Sequence, residues 1–245
     1  MATFAEMRYR IRDFFVFSPR ELRDLFIAMA VITFAFAYDD KQETFVLAHW
    51  LFNYLKIFII VFIAFIVHES AHKIYGLSIG IRTEYKLWPI GVYITLLSTI
   101  LFQGKLAILI PGGVTFYHMA IQRLGHFRYG LNILSCGLIS AIGPLTNLIM
   151  ATFWETLAIN GIFPDFFHQM TFINLYYAVF SMLPLPNLDG ITLFVASRMN
   201  YVFFFGVLLS YITLFVLGVY SIIWALILAG VLWGSYWYFF EQNVR

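Results

Sequence analysis

The sequence predicts an all-α fold: a polytopic transmembrane helix bundle of about six or seven spanning segments, with one short β or re-entrant element. Three observations carry this. Of 245 residues, 62% are hydrophobic and only 11% are charged, against roughly 45–50% and 25% in soluble domains. The apolar residues fall in long runs, and a spanning helix needs roughly 20 residues. One stretch, 104–131, breaks the pattern with Pro111-Gly112-Gly113-Val114-Thr115-Phe116-Tyr117, which suggests strand or loop. A soluble fold of this size could not cover its core with 15 Lys+Arg and 13 Asp+Glu. Composition therefore excludes a soluble enzyme, a nucleic-acid binder and a disordered chain. The net charge of +2 is too small to imply an anionic partner, and the single cysteine, Cys136, excludes an internal disulfide or a cysteine-based zinc knuckle.

Residues 1–23 carry Arg8, Arg10, Arg12, Arg20 and Arg23 among Phe14, Phe15 and Phe17. They read as a cytoplasmic or interfacial segment and not as a cleavable signal peptide. Ser18-Pro19-Arg20-Glu21 has the form of a helix start, with Ser18 as N-cap, proline first and Glu third. The first apolar run, about 24–38, ends in the acidic turn Asp39-Asp40-Lys41-Gln42-Glu43. A second, about 45–72, includes Lys56 and leads into a polar stretch with Lys73, Arg82, Glu84 and Lys86. Further runs lie at about 88–103, 132–157, 170–196, 201–217 and 219–240, the last two parted at Gly218. Residues 24–240 form one membrane domain in this reading, and 241–245 a tail.

Lysine and arginine set the sidedness. The arginine-rich N-terminus falls in the cytoplasm and the acidic turn outside. The 73–86 segment, Arg123, Arg128 and Arg198 are then inside, and the 158–169 loop, without Lys or Arg, is outside. This leaves the 88–103 run starting and ending on the same side. Either it is re-entrant or the 106–118 stretch returns through membrane depth, which is tolerable only beside protein or a wet cavity.

Acids and imidazoles inside spanning segments are expensive, so each needs a reason. His68-Glu69-Ser70-Ala71-His72 sits at the inner end of the second run. Helix positions i and i+4 share a face, so both imidazoles reach one metal. Glu69 lies about 100° round the helix from His68, within reach of a water at that metal. A third ligand is needed, and Asp189 in Leu183-Pro184-Leu185-Pro186-Asn187-Leu188-Asp189-Gly190 is the leading candidate. The two prolines interrupt the helix, and Gly190 admits a close approach of backbone or substrate. The sidedness puts Asp189 at the same cytoplasmic end as the histidine pair. Glu155 and Glu84 are rival ligands, the first expected to face outward and the second to lie in a polar loop. His49 is about 28 Å from His68 along an ideal helix, too far to be a ligand. His118 and His126 read as loop or interfacial residues, Ser70 as small packing, and Tyr236-Trp237-Tyr238-Phe239-Phe240 as an interfacial belt.

The motif His68-Glu69-Ser70-Ala71-His72, followed by Gly143-Pro144-Leu145-Thr146-Asn147 and then Asn174 through Pro184-Leu185-Pro186-Asn187-Leu188-Asp189-Gly190, resembles the site-2 protease family of intramembrane zinc metalloproteases. Ser18-Pro19-Arg20-Glu21-Leu22-Arg23-Asp24 and Lys86-Leu87-Trp88-Pro89 resemble its compact archaeal members, without PDZ or CBS domains. The resemblance implies one catalytic zinc ion held by His68, His72 and Asp189, with Glu69 as general base. It also implies cleavage of a substrate's transmembrane segment near the cytosolic face, in the cell membrane. The chain departs from the family pattern at Ser181, where Asn is usual, and at Asn187, where proline is common. The oxyanion role therefore stays open among Ser181, Asn187 and Asn174, while Asn147, as the last residue of the Gly-Pro motif, is a candidate for lining the substrate path. Asn147 has a second reading as a helix–helix hydrogen bond.

The expected partners are a transmembrane protein substrate and the lipid bilayer, with no nucleic acid; the sequence does not set the oligomeric state. The 104–120 segment is the candidate edge strand for pairing with unwound substrate. Other classes remain as alternatives: a catalytically silent zinc protein that binds or chaperones helices, a zinc transporter, and a membrane zinc protease with a Glu ligand.

Overall fold

A computed structural model describes residues 4–39, 42, 44–119 and 131–242. Asp40, Lys41, Glu43, Arg123, His126, Arg128 and the last three residues of the tail lie outside the described residues. The chain divides into two compact units, residues 1–131 and 132–245.

In the first unit, α1 (Phe4–Phe14) is followed by α2 (Pro19–Ala37). The expected capping box is present. Glu21 N–H donates to Ser18 Oγ at 3.2 Å, and Ser18 N–H donates to Glu21 Oε2 at 3.3 Å. Two orphan donors at the helix start are thereby satisfied, and Pro19 fills the first turn, where its missing N–H costs nothing. The long α3 (Leu47–Ile79) is continuous through His49, His68 and His72, so the ideal-helix separation of His49 from the pair applies. It stops at Gly80, whose φ of 85° is a left-handed cap that glycine adopts without strain.

The polar stretch after α3, expected only as a cytoplasmic segment, is a strand, β1 (Ile81–Leu87). It pairs antiparallel with β2 (Gly112–His118), in a register that sets Glu84 opposite Thr115. Between them lies α4 (Pro89–Leu101), too short at 13 residues to cross a bilayer unaided. Residues 105–111 are irregular, and α4 satisfies their backbone. Ile108 N–H donates to Ser98 Oγ at 2.9 Å, Ile110 N–H donates to Thr95 Oγ1 at 3.2 Å, and the Thr95 hydroxyl lies 2.8 Å from the Ile108 carbonyl. Non-helical backbone is thus covered by protein, as a membrane chain requires.

In the second unit, α5 (Ile133–Ile159) begins at the Asn132 cap and contains Pro144. A short turn leads to α6 (Pro164–Ser181), and the prolines at 184 and 186 divide the 170–196 run as expected, leaving α7 (Asp189–Ala196) as a separate short helix. A hairpin of α8 (Arg198–Val216) and α9 (Ile222–Tyr236) follows. Leu148, Ala151, Ala178, Leu193, Leu208, Tyr211, Ala225 and Ala229 form the core, and the Tyr211 hydroxyl lies 2.9 Å from Thr152 Oγ1.

Among the described residues, four helices are long and apolar enough to cross a membrane: α3, α5, α8, and α9 with its C-terminal extension. The outer faces bear large apolar side chains, such as Phe52, Ile223 and Val231. That is the surface expected of helices in lipid. The fold is a helical membrane bundle with a small sheet.

Candidate metal centre

The local geometry of α3 places the two imidazoles as the spacing predicts. His68 Nε2 and His72 Nε2 are 3.0 Å apart, and both rings are fully buried. Two nitrogens on one tetrahedral zinc at 2.0–2.1 Å would sit about 3.3 Å apart. The rings meet edge to face, with centroids 4.7 Å apart, so both Nε2 atoms converge on one point. Glu69 is buried beside them at 2% exposure.

Asp189 opens α7 and is buried. Its position follows from the turn before it. Leu185 N–H bonds to the Leu183 carbonyl at 2.8 Å and Leu188 N–H to the Leu185 carbonyl at 3.2 Å. Asn187 takes φ 60°, a left-handed conformation that Asn tolerates better than most residues. Gly190 then packs on backbone. A Cβ there would lie 2.6 Å from the Leu183 carbonyl oxygen and closer still to the Met182 carbonyl. The close approach expected at Gly190 is therefore made by the chain's own backbone. Tyr201 holds the same turn from α8, its hydroxyl donating to the Met182 carbonyl at 3.1 Å.

His68, His72 and Asp189 are all buried, and each offers one ligand atom within 4.8 Å of the others. Two imidazoles and one carboxylate form a donor set of the kind that holds zinc through three protein ligands. Among the described residues this is the sole group of His, Cys, Asp and Glu side chains with metal-binding spacing. The rival acids have other partners. Glu155 lies 3.0 Å from His168 Nδ1, and Glu84 pairs with Arg82.

The four residues considered for substrate contact differ in environment. Asn147 is fully buried on α5, and neither amide atom has a hydrogen-bond partner among the described residues. The helix–helix bond offered by its second reading is not made. Asn174 donates to the Met170 carbonyl at 2.8 Å, and its own carbonyl oxygen is unpartnered among the described residues. The Ser181 hydroxyl donates to the Ala178 carbonyl at 3.0 Å. Asn187 is exposed on its turn.

One buried cluster escaped the sequence reading. Lys73, one residue past His72, places Nζ 2.9 Å from Glu21 and 2.9 Å from the Thr83 carbonyl, over the Phe17 ring. The sequence reads Glu21 as a helix-capping residue and Lys73 as part of a polar stretch.

Comparison with known proteins adds an independent finding. The chain is 31% identical over 190 residues to a Methanocaldococcus jannaschii protein named "putative zinc metalloprotease", an alignment covering 72% of this chain and 84% of the relative. No protein-family model and no solved structure matches the chain.

Proposed function

The chain belongs to the zinc metalloprotease family of its archaeal relative, and from that premise we propose that it is an intramembrane endopeptidase of the site-2 protease type. The observation that carries the reading is the buried His68–His72–Asp189 donor set on a chain with four potential spanning helices. These three residues would hold one zinc ion, which would supply Lewis acidity for a carbonyl and lower the pKa of bound water to about 7. Glu69, the neighbour of His68, takes the proton of the attacking water and delivers it to the departing amine.

The oxyanion needs a donor set in place before reaction. Asn147 fits best, because its amide group is buried and uncommitted, whereas the Ser181 hydroxyl is already engaged. Asn174 presents only a carbonyl oxygen, suited to a substrate N–H. The substrate is a transmembrane protein, whose helix must unwind because a helical amide is shielded by its own hydrogen bonds. An unwound segment joins the sheet along β2 by strand addition. The N-terminus and the active site face the cytoplasm of a cell membrane, following the arginine bias. The 24–240 stretch acts as one protease domain.

The test is zinc analysis together with cleavage of a transmembrane substrate in proteoliposomes. The unmodified protein should bind one zinc ion and cleave, and Asp189→Asn should lose both. Zinc binding with no cleavage of any transmembrane helix would favour a silent helix-binding protein instead.

A further inference from the structure

We propose that Glu21, Asp24 and Lys73 seal the outer edge of β1, so that an extended polypeptide can join the sheet only along β2. This rests on the reading that unwound substrate binds by strand addition. A two-stranded sheet has two edges, and each bare edge recruits strands. A strand added at one edge lies about 14 Å from one added at the other, three strand spacings away. A substrate on the wrong edge is out of reach of any fixed catalytic group, so an edge-choosing device has a use.

The ladder parity shows which backbone groups face out. Trp88 N–H donates to the Pro111 carbonyl at 2.8 Å, and Thr115 Oγ1 donates to the Glu84 carbonyl at 2.8 Å. Even-numbered residues of β1 therefore face β2, and Thr83, Tyr85 and Leu87 turn their backbone groups away from it. Each of these has a side-chain partner. Lys73 Nζ donates to the Thr83 carbonyl at 2.9 Å, Tyr85 N–H donates to Glu21 Oε1 at 2.9 Å, and Leu87 N–H donates to Asp24 Oδ2 at 3.3 Å. Glu21 and Asp24 are three apart on α2 and so share a face. Lys73 neutralises Glu21 at 2.9 Å, and Arg23 pairs with Asp24 at 2.7 Å. The acids thus mimic a neighbouring strand without leaving a buried charge alone.

The other edge is different. By the same parity, Gly112, Val114 and Phe116 turn their groups away from β1. No hydrogen bond from the described residues reaches those groups. Among the described residues, one edge is covered by charged side chains and the other carries no such cover.

Disulfide mapping tests this with a single-cysteine transmembrane peptide, in a Cys136→Ser background arrested by Glu69→Gln. Thr115→Cys reports the β2 side, and Glu84→Cys, directly opposite it in the register, reports the β1 side. The intact seal should give disulfide at Thr115→Cys and none at Glu84→Cys. Asp24→Ala should raise the Glu84→Cys yield about fivefold, as expected for one uncovered hydrogen-bonding group. Asp24→Asn keeps an acceptor for Leu87 N–H and should restore the original pattern, which a purely ionic role of Asp24 would not. Glu21→Gln/Lys73→Met, which uncovers the Thr83 carbonyl without a lone buried charge, should give the same rise and serves where Asp24→Ala lowers stability. Equal disulfide on both sides of the unmodified sheet, or no rise in either variant, overturns the seal. Disulfide on neither side in any variant contradicts strand addition itself, and the seal with it.

Discussion

Replacing Gly190 with alanine should perturb the proposed metal centre without touching a proposed ligand. The added Cβ would lie 2.6 Å from the Leu183 carbonyl oxygen and closer still to the Met182 carbonyl. Both obstacles are backbone, and the Met182 carbonyl is further held by Tyr201 at 3.1 Å. Neither can rotate away like a side chain, so the start of α7 must move by more than ~1 Å to restore ordinary contact distances of roughly 3.5 Å. Asp189 is the neighbouring residue and moves with it. If Asp189 is a zinc ligand, its Zn–O bond of about 2.0–2.2 Å would not survive such a displacement, and a misplacement of about 1 Å can cost about 100-fold in rate. Overpacking of this kind destabilises a fold by about 1–3 kcal/mol. Gly190→Ala should therefore stay folded, lose most bound zinc at limiting metal, and cleave at least 100-fold more slowly. Metal content by mass spectrometry, thermal unfolding and peptide cleavage measure the three effects. Full zinc occupancy with unmodified cleavage would show that the 182–190 turn does not set the third ligand.

Three further substitutions probe separate parts of the account. Asn147→Leu removes a buried amide with no partner among the described residues, so stability should be unchanged or higher, while cleavage falls about 100- to 1,000-fold if that amide holds the oxyanion. Loss of stability with normal cleavage would favour a structural role. Lys73→Met leaves the Glu21 carboxylate buried at about 1% side-chain exposure without its cation; unfolding free energy should drop by about 3–5 kcal/mol. The double variant Glu21→Gln/Lys73→Met should recover most of that loss, and a double variant no better than the single one would mean the pair is not coupled. Tyr201→Phe removes the hydroxyl from the Met182 carbonyl and should lower stability by about 1 kcal/mol, read from a chemical unfolding curve.

Much of this was legible from residue spacing. His68 and His72 are four apart on one continuous helix, so local geometry alone fixes their convergence, and the capping box at Ser18 and Glu21 is equally local. The break at the prolines of 184 and 186 follows from their missing donors. The β1 strand was not legible. Its residues, Ile81-Arg82-Thr83-Glu84-Tyr85-Lys86-Leu87, alternate apolar and polar, but three charges beside a membrane helix resemble a solvated loop. What makes it a strand is a partner 31 residues away and side chains from α2, and neither leaves a periodic trace. The same holds for Lys73 and Glu21, 52 residues apart. For Asn147, spacing left two readings open, and only the absence of a described partner favours one of them.

The most direct test of the central claim compares the zinc-loaded unmodified protein with Glu69→Gln, at equal zinc content, on one transmembrane substrate in proteoliposomes. The account predicts equal metal binding and a loss of cleavage of about 100- to 10,000-fold in the variant. Undiminished cleavage by Glu69→Gln at full zinc occupancy would contradict it.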